Sequence, residues 1–390
     1  MSVLRPAAVL LALAFLLLAA PLLAAGARAD TIHVGVTVSA TGPAASLGLP
    51  EQKTVTLLPT EIAGQKLEYT VLDDGGDSTR GVANMRKLID DGQADVVIGS
   101  SVTPVSMALI DVAAEKKVPL LTMAAAARLV APMDAQRHWV FKLPQNDSLM
   151  ADAILDHMAN HGVKTVAFIG FNDAYGDGWL RETERAAAAK GVQLGSVERY
   201  ARTDTSVTGQ VLKVIAGKPD AVLIAGSGTP AALPQKALKE RGYKGPVYQT
   251  HGAANNDFLR VGGHDVEGTI LPVGPIVVAA QLPDSNPIKQ VALTYVHRYE
   301  AANGAGSVSS FGAHAWDAGL LLQAAIPAAL AVGKPGTAAF RAALRDSLEG
   351  LHNVTLCHGI TSMTPDDHNG FDQRARVMIT IQNGVWKLLP

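Results

Sequence analysis

Short runs of β-branched and apolar residues alternate along the chain with stretches whose apolar positions recur every three or four residues. The runs predict strands over residues 31–38, 67–72, 95–98, 118–121, 165–170, 221–225, 247–249 and 269–271. The stretches between them predict amphipathic helices, among them 79–90, 105–116, 149–160, 177–190, 206–216 and 230–241. A strand–helix–strand beat builds parallel sheets with helices on both faces, the doubly wound α/β class. Such sheets take ligands beyond the carboxyl ends of their strands.

The beat breaks in three places. "FKLPQND" (141–147), "TILPVGPIV" (269–277) and "LCHGITSM" (356–363) read as extended and carry Pro or Gly. Three breaks fit a chain that crosses three times between two lobes; ordinary loops are the alternative. With crossings there, lobe 1 comprises residues 30–144 and 273–355, and lobe 2 comprises 145–272 and 356–390. Length agrees, because about 360 residues exceed one ordinary core.

That length excludes residues 1–29, which read as a cleaved export signal. Arg5 precedes the apolar run "AAVLLALAFLLLAAPLLAA" (7–25), and Ala27-Arg28-Ala29 offers a small-x-small cleavage site, leaving Asp30 first in the mature chain. A membrane anchor is the alternative, since the run is nearly long enough to span. Pro21 and the cleavage motif favour removal. No later stretch is apolar for long enough to span, so the mature chain is expected not to cross a membrane. Cys357, the single cysteine, lies far from the cleavage site, so no lipid anchor is expected there. A lone cysteine also excludes an intrachain disulfide and any zinc site built on several cysteines. Export without disulfides suits a bacterial periplasm. Charges are mixed and nearly balanced, at 33 basic and 35 acidic residues. Without a basic stripe, nucleic acid is not an expected partner.

Candidate chemistry is sparse. "GSGTPA" (226–231) follows the strand "DAVLIA" and matches a Gly-x-Gly-x-x-Ala nucleotide pattern. The acid needed for the ribose is missing, because "PVYQTHG" stands about 20 residues on. A tight strand-to-helix turn is the better reading. "LDDGGDS" (72–78) lacks the spacing and closing Glu of a calcium loop. The 11 histidines form no metal-ligand spacing. No metal or cofactor is therefore expected. "GSS" (99–101) is not a hydrolase elbow, and no nucleophile–base spacing points to an enzyme.

"VVIGSSVTP" (96–104) carries more. A strand ends in Gly99, Ser100 and Ser101, and Thr103-Pro104 opens a helix with Thr103 as its expected N-cap. Hydroxyls beside free helix N–H groups favour an anion. No P-loop lysine follows, so a carboxylate is the natural guest. A capped helix with no ligand stays open as the alternative.

Taken together, several segments give the chain a resemblance to the type I periplasmic solute-binding proteins of the Leu/Ile/Val-binding family. They are "VGVTVSATGPAASLG" (34–48), "LDD…TRGVANMRKLIDDGQADVVIGSS" (72–101), "KKVPLLTMAAA" (116–126), "FIGFNDAYGDGWL" (168–180) and "GFDQRARVMITIQNGVWKL" (370–388). The resemblance implies two lobes joined by three hinge crossings, closing on a ligand. It implies Ser100 and Ser101 as carboxylate donors, with Thr122, Ala124 and Ala126 beside them. It implies Leu47, Tyr175 and Phe311 as apolar or aromatic contacts.

Three departures from the family pattern matter. Ala125-Ala126 stands where Ala-Thr is common, and "EQKTVTLLPTEI" replaces a common long helix. His251 stands where amino-acid binders place an acid for the ligand ammonium, on a gap-free count back from "GGHDVEG". The expectation is a receptor for an ABC importer, working with an inner-membrane permease. Its ligand is a small apolar carboxylate, aromatic or branched, without an amine. A branched-chain amino acid is the alternative ligand, and Asp173 or Asp177 would then meet the ammonium. An exported hydrolase using the same cleft is the distant alternative.

Overall fold

The computed structural model describes residues 31–390. The expected leader, its cleavage site and Asp30 lie outside the described residues. The first sheet is built from β1 (Ile32–Val38), β2 (Glu61–Ile62), β3 (Gln65–Asp73), β4 (Val96–Gly99), β5 (Leu120–Thr122) and β6 (Val140–Lys142). Its spatial order is β2-β3-β1-β4-β5-β6, parallel except for the short β2–β3 pairing. Helices α1 (Ala45–Val55), α2 (Ser78–Asp90) and α3 (Thr103–Lys116) connect its strands.

The chain then crosses to a second sheet. In sequence order this half runs α4 (Asp147–Asn160), β7 (Thr165–Phe171), α5 (Ala174–Lys190), β8 (Gln193–Tyr200), α6 (Thr208–Ala216), β9 (Ala221–Ala225), α7 (Ala232–Glu240), β10 (Val247–Gln249), α8 (Asn256–Gly262) and β11 (Ile270–Val273). It returns to add α9 (Lys289–Asn303), α10 (Ser310–Leu330), α11 (Ala338–Glu349) and the hairpin β12 (Val354–Thr355)–β13 (Ile360–Thr361) to the first lobe. A last crossing delivers β14 (Val377–Gln382) and β15 (Val385–Leu388) to the second sheet, ordered β15-β14-β11-β10-β9-β7-β8.

Each lobe has its own apolar core. Val34, Val36, Ile98, Leu121, Tyr295 and Leu322 are buried on one face of the first sheet, while Met85, Leu109 and Leu120 lie on the other. Phe168, Trp179, Ile224 and Val211 anchor the second lobe. At about 25 cal/mol per Å², this burial is the main stabilising term in each lobe.

Several elements differ from the sequence reading. α1 is a helix of 11 residues even though it contains Gly48 and Pro50. Packing against α10 overrides local propensity there. Gly48 brings the helix close to the chain leaving β1, where a Cβ would strike the carbonyl of Ser39. β8 was not expected either. It is an edge strand with alternating half-exposed positions, so it lacks an apolar run. Residues 356–363 place Leu356, Cys357, Ile360 and Met363 in the first lobe's core, so the final return to the second sheet falls after them. Here an extended, Gly-containing stretch belongs to a buried hairpin rather than to the crossing itself.

The crossings are stitched together. Gln145 Nε2 donates to the carbonyls of His358 (3.2 Å) and Ala375 (2.8 Å). Asn369 Nδ2 donates to those of Lys142 (2.8 Å) and Pro144 (2.9 Å).

Candidate functional site

In the first sheet β1 lies between β3 and β4, so the connections leaving β1 and β4 diverge at their carboxyl ends. β7 does the same between β8 and β9 in the second sheet. The two switch points face one another across a narrow cavity lined by residues of both lobes. The lobes meet beside it, where the Thr229 N–H donates to Ser46 Oγ (3.3 Å).

The turn after β4 is shaped by Gly99. Its φ of 134° is open to glycine, and a Cβ would collide with the Thr37 carbonyl. The turn sends its two serines in different directions. Ser100 is buried behind the cavity, and its hydroxyl donates to Asp74 Oδ2 (2.8 Å). Ser101 lines the cavity. Its Oγ accepts from the Ser39 N–H (2.9 Å) and is hydrogen-bonded to Glu51 Oε2. Thr103 is the first residue of α3 rather than its cap, which is Val102. Thr103 also lines the cavity, and its buried hydroxyl has no partner. This end of the cavity therefore offers hydroxyls beside a helix N-terminus.

Of the other expected residues, Leu47, Tyr175, His251 and Phe311 line the cavity. Leu47 and Phe311 belong to a small apolar cluster with Ala44, Val102 and Val105. Thr122, Ala124 and Ala126 do not line it, while their neighbours Met123 and Ala125 do. Alternation along the extended segment after β5 turns the expected residues away. Thr122 instead donates to Ser106 Oγ (2.9 Å), which also accepts from the Ser100 N–H (3.1 Å). Ser106 is thus a buried brace under the serine turn.

On the second lobe, Tyr175 OH lies 2.7 Å from Thr250 Oγ1, which donates to the Gly226 carbonyl (2.8 Å). Thr250 has only one proton, so Tyr175 is the donor in that pair. A lone pair of Tyr175 is left for the cavity. Gly252 closes this wall, where a Cβ would strike Tyr175 and the Gly226 carbonyl.

His251 is buried, and neither ring nitrogen has a partner. Burial, then the nearby Lys142 and His358, push it down to about 3, so it is neutral. His314 on α10 also lines the cavity with both nitrogens unpartnered. Burial and His358, on which it stacks at 4.2 Å, hold it well below the usual range. His358 in turn bridges Asp317 Oδ2 (2.7 Å) and Ser310 Oγ (3.0 Å). That Ser–His–Asp chain has the order of a hydrolytic triad, but Ser310 is buried and is not part of the cavity wall.

Arg202 and His314 are the residues that sequence reasoning missed. Arg202 follows the unexpected strand β8 and lies 4.1 Å from the Phe171 ring. It donates to Asp173 Oδ2 (2.6 Å) and Ser227 Oγ (2.9 Å), using two of the five N–H donors of a guanidinium. Asp177 is paired with Arg199. Both acids considered for an ammonium are thus held by arginines, and no Asp or Glu lines the cavity.

Two α/β lobes linked by three crossings around an enclosed cavity define the class of a type I periplasmic binding fold. The chain belongs to the periplasmic binding protein family, whose model matches residues 31–384. It is similar to an extracellular ligand-binding receptor from Rhodopseudomonas palustris HaA2, at 52% identity and a TM-score of 0.90, over 92% of this chain and 99% of that one. A Leu/Ile/Val-binding protein, BraC3, of Rhizobium johnstonii is 24% identical over 251 residues, 63% of this chain and 67% of that protein. LivJ, a branched-chain amino acid transporter substrate-binding protein of Streptococcus pneumoniae solved with isoleucine, shares the fold. Its TM-score is 0.78 at 19% identity, over 92% of this chain and 99% of LivJ. Among the described residues, no helix is long and apolar enough to cross a membrane.

Proposed function

We propose that this protein is the exported receptor of an ABC importer and that it binds a small apolar carboxylate lacking an α-amine. The observation that carries this reading is the composition of the cavity wall: Arg202, Ser101 and Thr103 face it, and no acid does. A buried ammonium costs several kcal/mol unless an anion or good acceptors replace its water shell. A carboxylate meets hydroxyls, a helix N-terminus and a guanidinium instead. Leu47 and Phe311 supply an apolar wall for a ring or branched chain, and neutral His251 and His314 can donate to a keto or hydroxyl oxygen. Export by a cleaved signal and delivery to an inner-membrane permease complete the reading.

Paired calorimetry tests it: phenylpyruvate against phenylalanine, 4-methyl-2-oxopentanoate against leucine, and benzoate alone. The amine-free acids should bind more tightly. Amino acids binding about tenfold tighter, a difference of ~1.4 kcal/mol, would sink the reading in favour of a branched-chain amino acid receptor.

A further inference from the structure

Two carboxyl groups lie buried beneath the serine turn, and their surroundings differ. Asp74 accepts four hydrogen bonds, from the Thr37, Ser39 and Ser100 hydroxyls and the Gly76 N–H. That donor set satisfies an ionised carboxylate. Glu51 on α1 is fully buried, has Ser101 as its single hydrogen-bond partner, and leaves Oε1 with none. An ionised carboxylate so poorly supplied with donors is strongly disfavoured in a low-dielectric interior.

Ser101 Oγ has one proton and two lone pairs, and the Ser39 N–H occupies one lone pair. If Glu51 were ionised, the Ser101 proton would have to point at it. Ser101 would then present no hydrogen to the cavity. If Glu51 is protonated, its O–H fills the second lone pair and the Ser101 proton is free.

We propose that Glu51 keeps its proton in the folded protein and donates it to Ser101 Oγ, so that the Ser101 hydroxyl donates into the cavity to an anionic oxygen of the ligand. Glu51 is a positioning residue: loss of its proton turns the Ser101 hydroxyl inward and sets a negative charge behind the carboxylate site. This rests on the reading of that end of the cavity as a carboxylate site.

The charges around Glu51 agree. Burial raises it well above the ordinary glutamate range, and the Asp74 charge pushes the same way, against the Ser101 bond. On the strand ends flanking the turn stand Asp73, bonded to Thr41 and neighbouring N–H groups, and Asp74. α1 packs on α10, whose titratable side chains are His314, neutral, and Asp317, held by His358 and the Cys357 N–H. Tyr295 on α9 is bonded to Thr54 Oγ1 (2.8 Å), and burial keeps its phenol protonated. Lys53 on α1 itself is exposed.

Infrared difference spectroscopy of the full mature chain at pH 7, wild type minus Glu51→Gln, tests the proton directly. The carbonyl stretch of a protonated carboxyl should appear in the difference. Its absence overturns the proposal whatever the ligand is. Calorimetry with phenylpyruvate, 4-methyl-2-oxopentanoate and benzoate then tests the role. Glu51→Ala, which removes the donor that holds the Ser101 hydroxyl turned to the cavity, should weaken the acid that binds most tightly by up to about tenfold. Glu51→Gln, whose amide donates to Ser101 as the neutral acid does, should rescue it. Wild-type affinity should fall as pH rises through the titration of Glu51, and Glu51→Gln should lack that fall. No rescue by a Gln variant with a wild-type melting temperature overturns the proposal. Amino acids binding better than all three acids would defeat the amine-free reading alone, since they too carry a carboxylate and the Glu51 arms run unchanged with leucine as probe.

Discussion

Adjacent serines after one strand take different work because one glycine sets the turn. Ser101→Ala should weaken a bound acid by about tenfold or more in calorimetry, since a hydrogen bond to a charged group is worth roughly 1.5–3 kcal/mol. Ser100→Ala instead removes one of the four donors to Asp74, so its effect should be read in thermal stability. Lys142 makes the second case. It is fully buried, its Nζ donates to the Pro144 carbonyl (2.6 Å), and burial pushes it down to about 7 from 10.5, with Asp147 and Asp367 opposing. Between those values the unfolded chain binds a proton that the folded one does not. Stability from this group therefore rises with pH across that window, by up to about 1.4 kcal/mol per unit, and is lowest below it. Lys142→Met should remove the rise and be the more stable at pH 7 and below. Denaturant titrations of both proteins from pH 6 to 10 measure the difference; parallel curves would refute it. At this scale the serine turn was legible because hydroxyls, glycine and proline sit together. Arg202, His314 and Glu51 were not, because nothing local tells which side of a helix or loop will face a cavity formed by distant chain segments.

Elements were legible where burial on both faces leaves a continuous apolar run, as in β4 with its four buried residues or β9 with five. They were obscured where an edge position leaves polar residues in the strand, as in β8, or where a breaker hides a helix held by tertiary packing, as Pro50 does in α1. The same logic gives a test for the turn between β4 and α3. Gly99→Ala must hold a side chain at a positive φ against the Thr37 carbonyl. It should cost at least about 1–3 kcal/mol in denaturant titration. A neutral outcome would mean that the turn relaxes without loss, and affinity for an acid should then be preserved as well.

For the whole molecule, the two-lobed plan and its three crossings followed from length and from breaks in the strand–helix beat, whereas the hydrogen bonds that stitch the crossings together did not. Gln145 and Asn369 are isolated amides in the sequence and acquire meaning only when three remote segments converge on them. Cys357 lies near this joint, in the first lobe's core. Its N–H donates to Asp317 Oδ1 (2.7 Å), and burial, with the Asp317 charge adding, raises its thiol well above the ordinary range. A thiol of this kind is a built-in stopwatch. Reagents attack the thiolate, and only on an exposed sulfur. The native protein should therefore be silent to a chromogenic disulfide reagent, and the colour should develop at the rate at which the first lobe opens. A bound acid that holds the lobes together should slow that clock, so labelling one native atom, without engineering or a probe, reads out ligand binding as a delay in time.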